Sequence, residues 1–153
     1  MGYIAELRKR VGSRPLIMAG AGVLVLDEAG RLLLQKRVDN GLWGLIGGAM
    51  EPGESLEQTA RRELKEEAGL EAGELELFSL VSGADYHYVY PNGDEVFFVS
   101  ARFVTREVRG EARADGREGL ELRYFGLNGL PEVTVNDRTH LPALRQKLSR
   151  GEL

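Results

Sequence analysis

The stretch from Gly48 to Leu70 limits the fold more than any other, because it must be a loop that turns straight into a helix. Pro52 and Gly53 exclude helix before Glu54, and Ser55 followed three residues later by Gln58 has the form of a capping box with Ser55 as N-cap. Gly69 supplies a left-handed residue of the kind that commonly closes a helix. The spacing predicts a helix over Leu56 to Ala68.

At about 100° per residue, Leu56, Ala60, Glu63 and Glu67 share a narrow arc of that helix, with Leu64 on one side and Glu66 on the other. The acids therefore flank the apolar stripe, while Gln58, Arg61, Arg62 and Lys65 lie on the far side, where they are not expected to neutralise Glu63 and Glu67. Glu63 and Glu67 form an i,i+4 like-charge pair, which partial burial makes more costly. A divalent cation among the carboxylates would relieve that cost. Hard oxygen donors suit Mg²⁺ or Mn²⁺ rather than zinc, which prefers the His and Cys side chains this chain scarcely has. A solvated, salt-bridged helix is the ordinary alternative for a glutamate-rich segment. The helical phase weighs against it, because Arg61 and Lys65 mark the solvated face.

Gly48, five residues, Glu54, seven residues, then Arg62 Glu63 Leu64, one residue, Glu66 Glu67, one residue, Gly69 Leu70: this pattern resembles, at every specified position, the signature of the Nudix hydrolase family, MutT-like members included. Many members have Pro where this chain has Ile46. The resemblance implies an α/β fold of the Nudix type, an α/β/α sandwich with a mixed β-sheet between helices. It implies Mg²⁺ as cofactor, with Mn²⁺ as a substitute, held by Glu63, Glu66 and Glu67 with the Gly48 carbonyl as a further ligand. Arg62 and Glu54 become an orienting pair that fixes loop against helix. Family members often place another acid in the loop before a late strand; Glu118 takes that place, with Glu121 as competitor. Glu63 is the first choice for general base and Glu118 the second. The expected catalytic set is thus Glu54, Arg62, Glu63, Glu66 and Glu67.

The rest of the chain must supply a core and a substrate pocket. Its 153 residues are 42% hydrophobic and 29% charged, consistent with one globular domain over 1–153 in which 1–15 form a short N-terminal helical extension. No apolar run approaches a membrane span, and without cysteine there are no disulfides or thiolate chemistry. A cytoplasmic location and no membrane partner are expected. A net charge of −4 argues against non-specific nucleic-acid binding. The partner expected is a small-molecule nucleoside diphosphate derivative, and a second copy of the chain, in a homodimer, is the other partner open to it.

Ile4, Leu7 and Val11 at helical spacing predict a short helix ending at Gly12, packed on the domain rather than free for a partner. Leu16 to Leu26 reads as a strand covered on both faces, Asp27 to Gly30 as a turn, and Arg31 to Arg37 as the returning strand. Gln35, Lys36 and Arg37 then lie where polar groups could meet a substrate phosphate, with ordinary surface charge the preferred reading for any one of them. The paired Gly47 and Gly48 allow close backbone approach. Glu74 to Val81 alternates as a strand, and Tyr86 to Tyr90, the turn Pro91 to Asp94, and Glu95 to Val104 predict a second hairpin. Tyr86, Tyr88 and Tyr90 share one strand face, as an aromatic ladder in preference to a base-stacking platform. Arg37, Trp43 and Tyr88 are the substrate-binding candidates. Arg106 to Gly119 reads as an exposed loop and Leu120 to Tyr124 as a strand. Asn136 or Asp137 is placed to cap a last helix carrying Leu141, Leu144 and Leu148.

Carboxylates holding divalent metals beside a glycine loop fit attack of activated water on phosphorus. The resemblance implies Mg²⁺-dependent cleavage of the pyrophosphate bond of a nucleoside diphosphate linked to another moiety. The alternative is a non-catalytic module that binds a nucleotide or nucleotide sugar on the same fold.

Overall fold

The computed structural model describes residues 2–153. Helix α1 (Tyr3–Val11) ends at Gly12, whose φ of +69° stops it as the sequence predicts. Strand β1 (Leu16–Val25) lies at the centre of the main sheet, between β4 (Ile46–Ala49) and β8 (Glu95–Thr105), with β6 (Glu76–Val81) beyond β8 and β7 (His87–Val89) also pairing β8. β1 runs parallel to β8, whereas β1 with β4, β6 with β8 and β7 with β8 are antiparallel, so the sheet is mixed. A second sheet orders β10 (Gly119–Phe125), β2 (Leu32–Arg37) and β3 (Trp43–Gly44). A small pair joins β5 (Glu71–Ala72) to β9 (Val108–Arg109), of which β9 lies inside what reads from sequence as exposed loop.

The apolar run of β1 is explained by its two covered faces. Ala21, Val23 and Val25 pack with Ala60, Leu64 and Ala68 of helix α2 (Leu56–Ala68), joined by Leu33 and Ile46. Leu24 and Leu26 face the other way and pack with Leu32, Leu34 and Val104 under Leu141 and Leu144 of helix α4 (Leu141–Ser149). Each such fully buried leucine stabilises the fold by about 1.5–3 kcal/mol relative to exposure. The helices thus sandwich the strands, and the same packing fixes the orientation of α2 over β1 and β4. Gly47 makes the β1–β4 approach feasible, because a Cβ there would lie 2.6 Å from Ala21 O.

Three local expectations change. The turn at Asp27 forms, with Asp27 Oδ1 accepting from Ala29 N at 3.0 Å and Arg31 N at 2.8 Å, but β2 does not return along β1. Both edges of β1 are already filled by β4 and β8, so the two strands meet only at the Leu26–Leu32 bridge and part into different sheets. Tyr86 belongs to a 3₁₀ turn (Ala84–Tyr86) rather than to the strand carrying Tyr88, and it meets Thr139 through its hydroxyl at 3.1 Å. Neither Asn136 nor Asp137 caps the last helix: they lie inside a separate short helix, α3 (Val135–Arg138), with Thr134 at its N-cap position. Asp137 is instead a buried anchor, accepting from Leu45 N at 3.0 Å, Thr134 Oγ1 at 2.8 Å and Arg102 Nη2 at 3.2 Å.

Candidate active site

Helix α2 is closed at both ends as its sequence dictates. Ser55 Oγ accepts from Gln58 N at 3.1 Å, Gln58 Oε1 accepts from Ser55 N at 2.8 Å, and Gly69 adopts φ +71°. With its length and phase fixed, the helix turns Glu63 and Glu67 inward, 7% and 1% exposed, and leaves Glu66 in solvent. Glu118, on the loop before β10, completes a group in which one carboxylate oxygen from each of Glu63, Glu67 and Glu118 lies within 4.8 Å of the others. Glu66 is outside that group and pairs with Arg62 Nη1 at 3.2 Å. Glu121 is also outside it, paired with Arg123.

The surroundings of the three carboxylates are built for close approach. Gln35, 3% exposed, donates from Nε2 to Glu67 Oε2, while Glu67 Oε1 and Gln35 Oε1 are buried without a hydrogen-bond partner. A Cβ at Gly119 would lie 2.5 Å from Gln35 Oε1, and one at Gly48 would lie 2.6 Å from Glu63 Cδ. Burial, reinforced by Glu63 and Glu118, pushes the Glu67 carboxyl far above the usual carboxylate range. Burial and the charge of Glu63 also raise Glu118. An orphaned oxygen amid an all-carboxylate donor set suits a hard divalent cation, which would restore the charged form of each acid.

Arg62 ties the loop to this group. It forks onto Glu54, with Nε to Oε2 at 2.6 Å and Nη2 to Oε1 at 3.0 Å, and donates to Ala49 O at 2.9 Å. Its Nη1 reaches Glu63 Oε1 at 2.9 Å. That contact corrects the expectation that the helix's own cations cannot serve Glu63: the arginine side chain is long enough to fold back across the surface. The hydrogen bond from Arg62 holds the Glu54 carboxyl down at about 2. Glu54 Oε1 also accepts from Glu51 N at 2.8 Å and Thr59 Oγ1 at 3.1 Å, so the pair braces the loop.

The substrate candidates separate. Arg37 forks onto Asp39 at 2.8 and 2.7 Å. Tyr88 packs edge-on against Tyr90 with ring centroids 4.8 Å apart, and its hydroxyl lies 3.4 Å from Asn40 Nδ2. Burial raises the Tyr90 hydroxyl, with the charge of Arg37 opposing and that of Glu118 adding to it. Trp43 packs against the core instead: its ring meets Phe125 at 4.9 Å on the sheet face that packs with Leu32 and Leu34. The Gly48 carbonyl oxygen lies over Gly20, at 2.5 Å from where a Cβ on that residue would stand.

Two supports escape the sequence reading in their actual roles. Gln35 reads as one of three polar residues suited to a phosphate, yet it is the buried partner of Glu67. Strand alternation carries the signal, since Leu33 and Gln35 must share the face turned to α2. Asp115 shapes the loop that delivers Glu118: its Oδ1 accepts from the N–H groups of Arg117, Glu118 and Gly119 at 2.9, 3.0 and 3.1 Å. Although burial opposes its charge, those N–H groups hold the Asp115 carboxyl below its ordinary value. The Asp-Gly at 115–116 is the turn signal for it.

A two-sheet sandwich with a capped acidic helix across β1 and β4 defines a class as well as a site. Residues 16–145 match the model of the NUDIX domain. The chain is 37% identical over 119 residues to a putative 8-oxo-dGTP diphosphatase of Bacillus subtilis, covering 78% of this chain and 73% of that protein. It is 33% identical over 115 residues to an ADP-ribose pyrophosphatase of Methanocaldococcus jannaschii, covering 73% of this chain and 64% of that one. Among solved structures, a MutT NUDIX hydrolase from Burkholderia pseudomallei superposes with a TM-score of 0.71 at 29% identity, over 83% of this chain and 97% of that chain. The chain belongs to the NUDIX family. Its reaction class is that of a Nudix hydrolase, cleavage of a pyrophosphate bond in a nucleoside diphosphate derivative, and a non-catalytic binding role is not favoured.

Proposed function

We propose that the chain is a Mg²⁺-dependent hydrolase in which Glu63, Glu67 and Glu118 hold the cation and Mn²⁺ can replace it. The observation that carries this reading is the convergence of those three carboxylates within 4.8 Å around the unpartnered Glu67 Oε1. Glu66, which lies outside that group, and the Gly48 carbonyl are the further ligands that the family resemblance implies. The cation held there would offset charge on the diphosphate and lower the pKa of a bound water. Arg62, braced by Glu54, keeps Glu63 oriented. Glu118 is the better-placed proton acceptor, through the carboxylate oxygen it does not give to the cation, because Glu63 is committed to Arg62 whereas Glu118 forms no ion pair among the described residues. As the water oxygen bonds to phosphorus its proton passes to Glu118, and the anhydride P–O bond breaks with its electron pair leaving on the departing phosphate.

Arg37 spends Nε and Nη2 on Asp39 and keeps Nη1 for a substrate oxygen, and Tyr88 and Tyr90 wall the same region. Trp43 serves the core rather than the substrate in this reading. The three carboxylates come from one chain, so a homodimer is not needed to assemble the cation's ligands. A cytoplasmic location belongs to the same proposal, as that of an acidic, cysteine-free protein acting on a small nucleotide derivative. The relatives direct the substrate test to 8-oxo-dGTP and ADP-ribose. Phosphate or nucleotide release is measured for each with Mg²⁺, for the parent and for Glu67→Gln. Turnover of at least one by the parent and its loss in the variant are expected; full activity in the variant overturns the reading.

A further inference from the structure

Helix α1 precedes the residues matched by the family model, which begin at 16, and it buries no residue of its own in the core. Its contacts are nevertheless specific at both ends. At its N-terminus the Tyr3 N–H donates to Glu51 Oε2 at 2.9 Å, and a Cβ on Gly2 would lie 2.5 Å from Glu51 Oε1, so the helix is capped by a carboxylate from the signature loop. At its other end the Arg8 side chain, 10% exposed, donates to Gly12 O at 2.9 Å, Arg14 O at 2.6 Å and Glu95 O at 2.7 Å, and approaches Asp94 Oδ2 at 3.7 Å. Ser13 Oγ adds a hydrogen bond to Asp94 Oδ1 at 3.1 Å. Asp94 and Glu95 close the turn of the β7–β8 hairpin, which carries Tyr88 and Tyr90.

We propose that α1 is a strap joining the signature loop to that hairpin, and that Glu51 is a positioning residue acting through it on the candidate metal site. The path is continuous in the structure. Glu51 caps α1 with its side chain and donates its own N–H to Glu54 Oε1; Glu54 holds Arg62, and Arg62 holds Glu63. A loop pinned at Glu51 presents Glu54 to Arg62 in one orientation, whereas a free loop must be ordered anew each time a cation binds. This role rests on the proposed assignment of Glu63 to metal binding, but the strap itself does not.

The test compares Glu51→Ala, Glu51→Gln and Arg8→Ala with the parent in the full chain. Amide hydrogen exchange is followed at residues 50–55 without metal, Mn²⁺ affinity is measured by isothermal titration, and thermal melting is recorded. Glu51→Ala is expected to speed exchange at 50–55 by about fivefold, the scale of one lost helix cap, and to weaken Mn²⁺ binding with little change in melting temperature. Glu51→Gln, which keeps an acceptor for the Tyr3 N–H, restores most of both. Arg8→Ala, which touches no residue of the loop, is expected to speed exchange there as well and keeps the test alive if Glu51→Ala does not fold. Exchange at 50–55 within twofold of the parent in Glu51→Ala or in Arg8→Ala overturns the strap. A parent that binds no Mn²⁺ overturns the metal assignment instead, and leaves the exchange comparison standing.

Discussion

Glu67 shows at the scale of one residue how a carboxylate can be destabilised for use. Its side chain is buried beside Glu63 and Glu118, with Gln35 as its only hydrogen-bond donor among the described residues. Its carboxyl is therefore raised in the folded chain above its ordinary value of 4.5. A raised carboxyl favours folding below that ordinary value and costs stability as pH climbs through the folded one. Metal-free protein is thus expected to melt at lower temperature as pH rises from about 5 to 8, and Mn²⁺ at a hundred times its dissociation constant should return about 2.7 kcal/mol. Calorimetry with and without chelator checks both. Glu67→Gln removes the cost of keeping this buried carboxyl from ionising, so it should leave metal-free stability equal or higher while costing at least about a hundredfold in turnover, since even outer partners of metal ligands are worth 10–100-fold. Gly48→Ala should keep the fold and lose the site, because the added methyl displaces the flexible end of Glu63. Gln35 was within reach of the sequence through alternation, but its partner was not, because no local rule places it opposite a particular turn of α2.

At the scale of elements, the helix was legible to its last residue and the sheets were not. Ser55, Gln58 and Gly69 act on backbone groups within a few residues, so their pattern determines the ends of α2 without help from the rest of the chain. Ser55→Ala should therefore destabilise the protein by about 1 kcal/mol, read from denaturant midpoints at unchanged slope. Pairing of β1 is a long-range matter. The turn at Asp27 suggested a hairpin, but β4 and β8 had already taken both edges of β1 and left β2 to a second sheet. Tyr86 leaves its expected strand for the same reason: which face a residue presents depends on partners far away in sequence. The loop before β10 is a smaller case. Its charge and glycines suggest exposure, yet Asp115 folds it around three N–H groups and delivers Glu118, so Asp115→Ala should reduce turnover by roughly tenfold while leaving the melting temperature nearly unchanged.

At the scale of the whole molecule, the two faces of the main sheet do different work. One carries α2 and the carboxylates. The other holds a buried polar group in which Arg102 bonds Ser100 and Asp137, and His140 Nδ1 lies 3.1 Å from Ser79 Oγ while its Nε2 has no partner. Burial, with Arg102 adding to it and Asp137 opposing, depresses His140 to about 4. A depressed histidine contributes stability that is present above its ordinary value of 6.5 and is lost as pH falls through the folded one. The shift is worth on the order of 3 kcal/mol, so acid should loosen this face between pH 6.5 and 4, and substitution of His140 by Gln should flatten that part of the stability profile. No helix among the described residues is long and apolar enough to cross a membrane. Everything functional turns on whether the carboxylate site grips a divalent ion. Isothermal titration of Mn²⁺ into the parent, Glu67→Gln and Glu118→Gln tests this most directly: binding by the parent, weakened at least about tenfold in both variants, is the predicted result. Equal affinity in all three would contradict it.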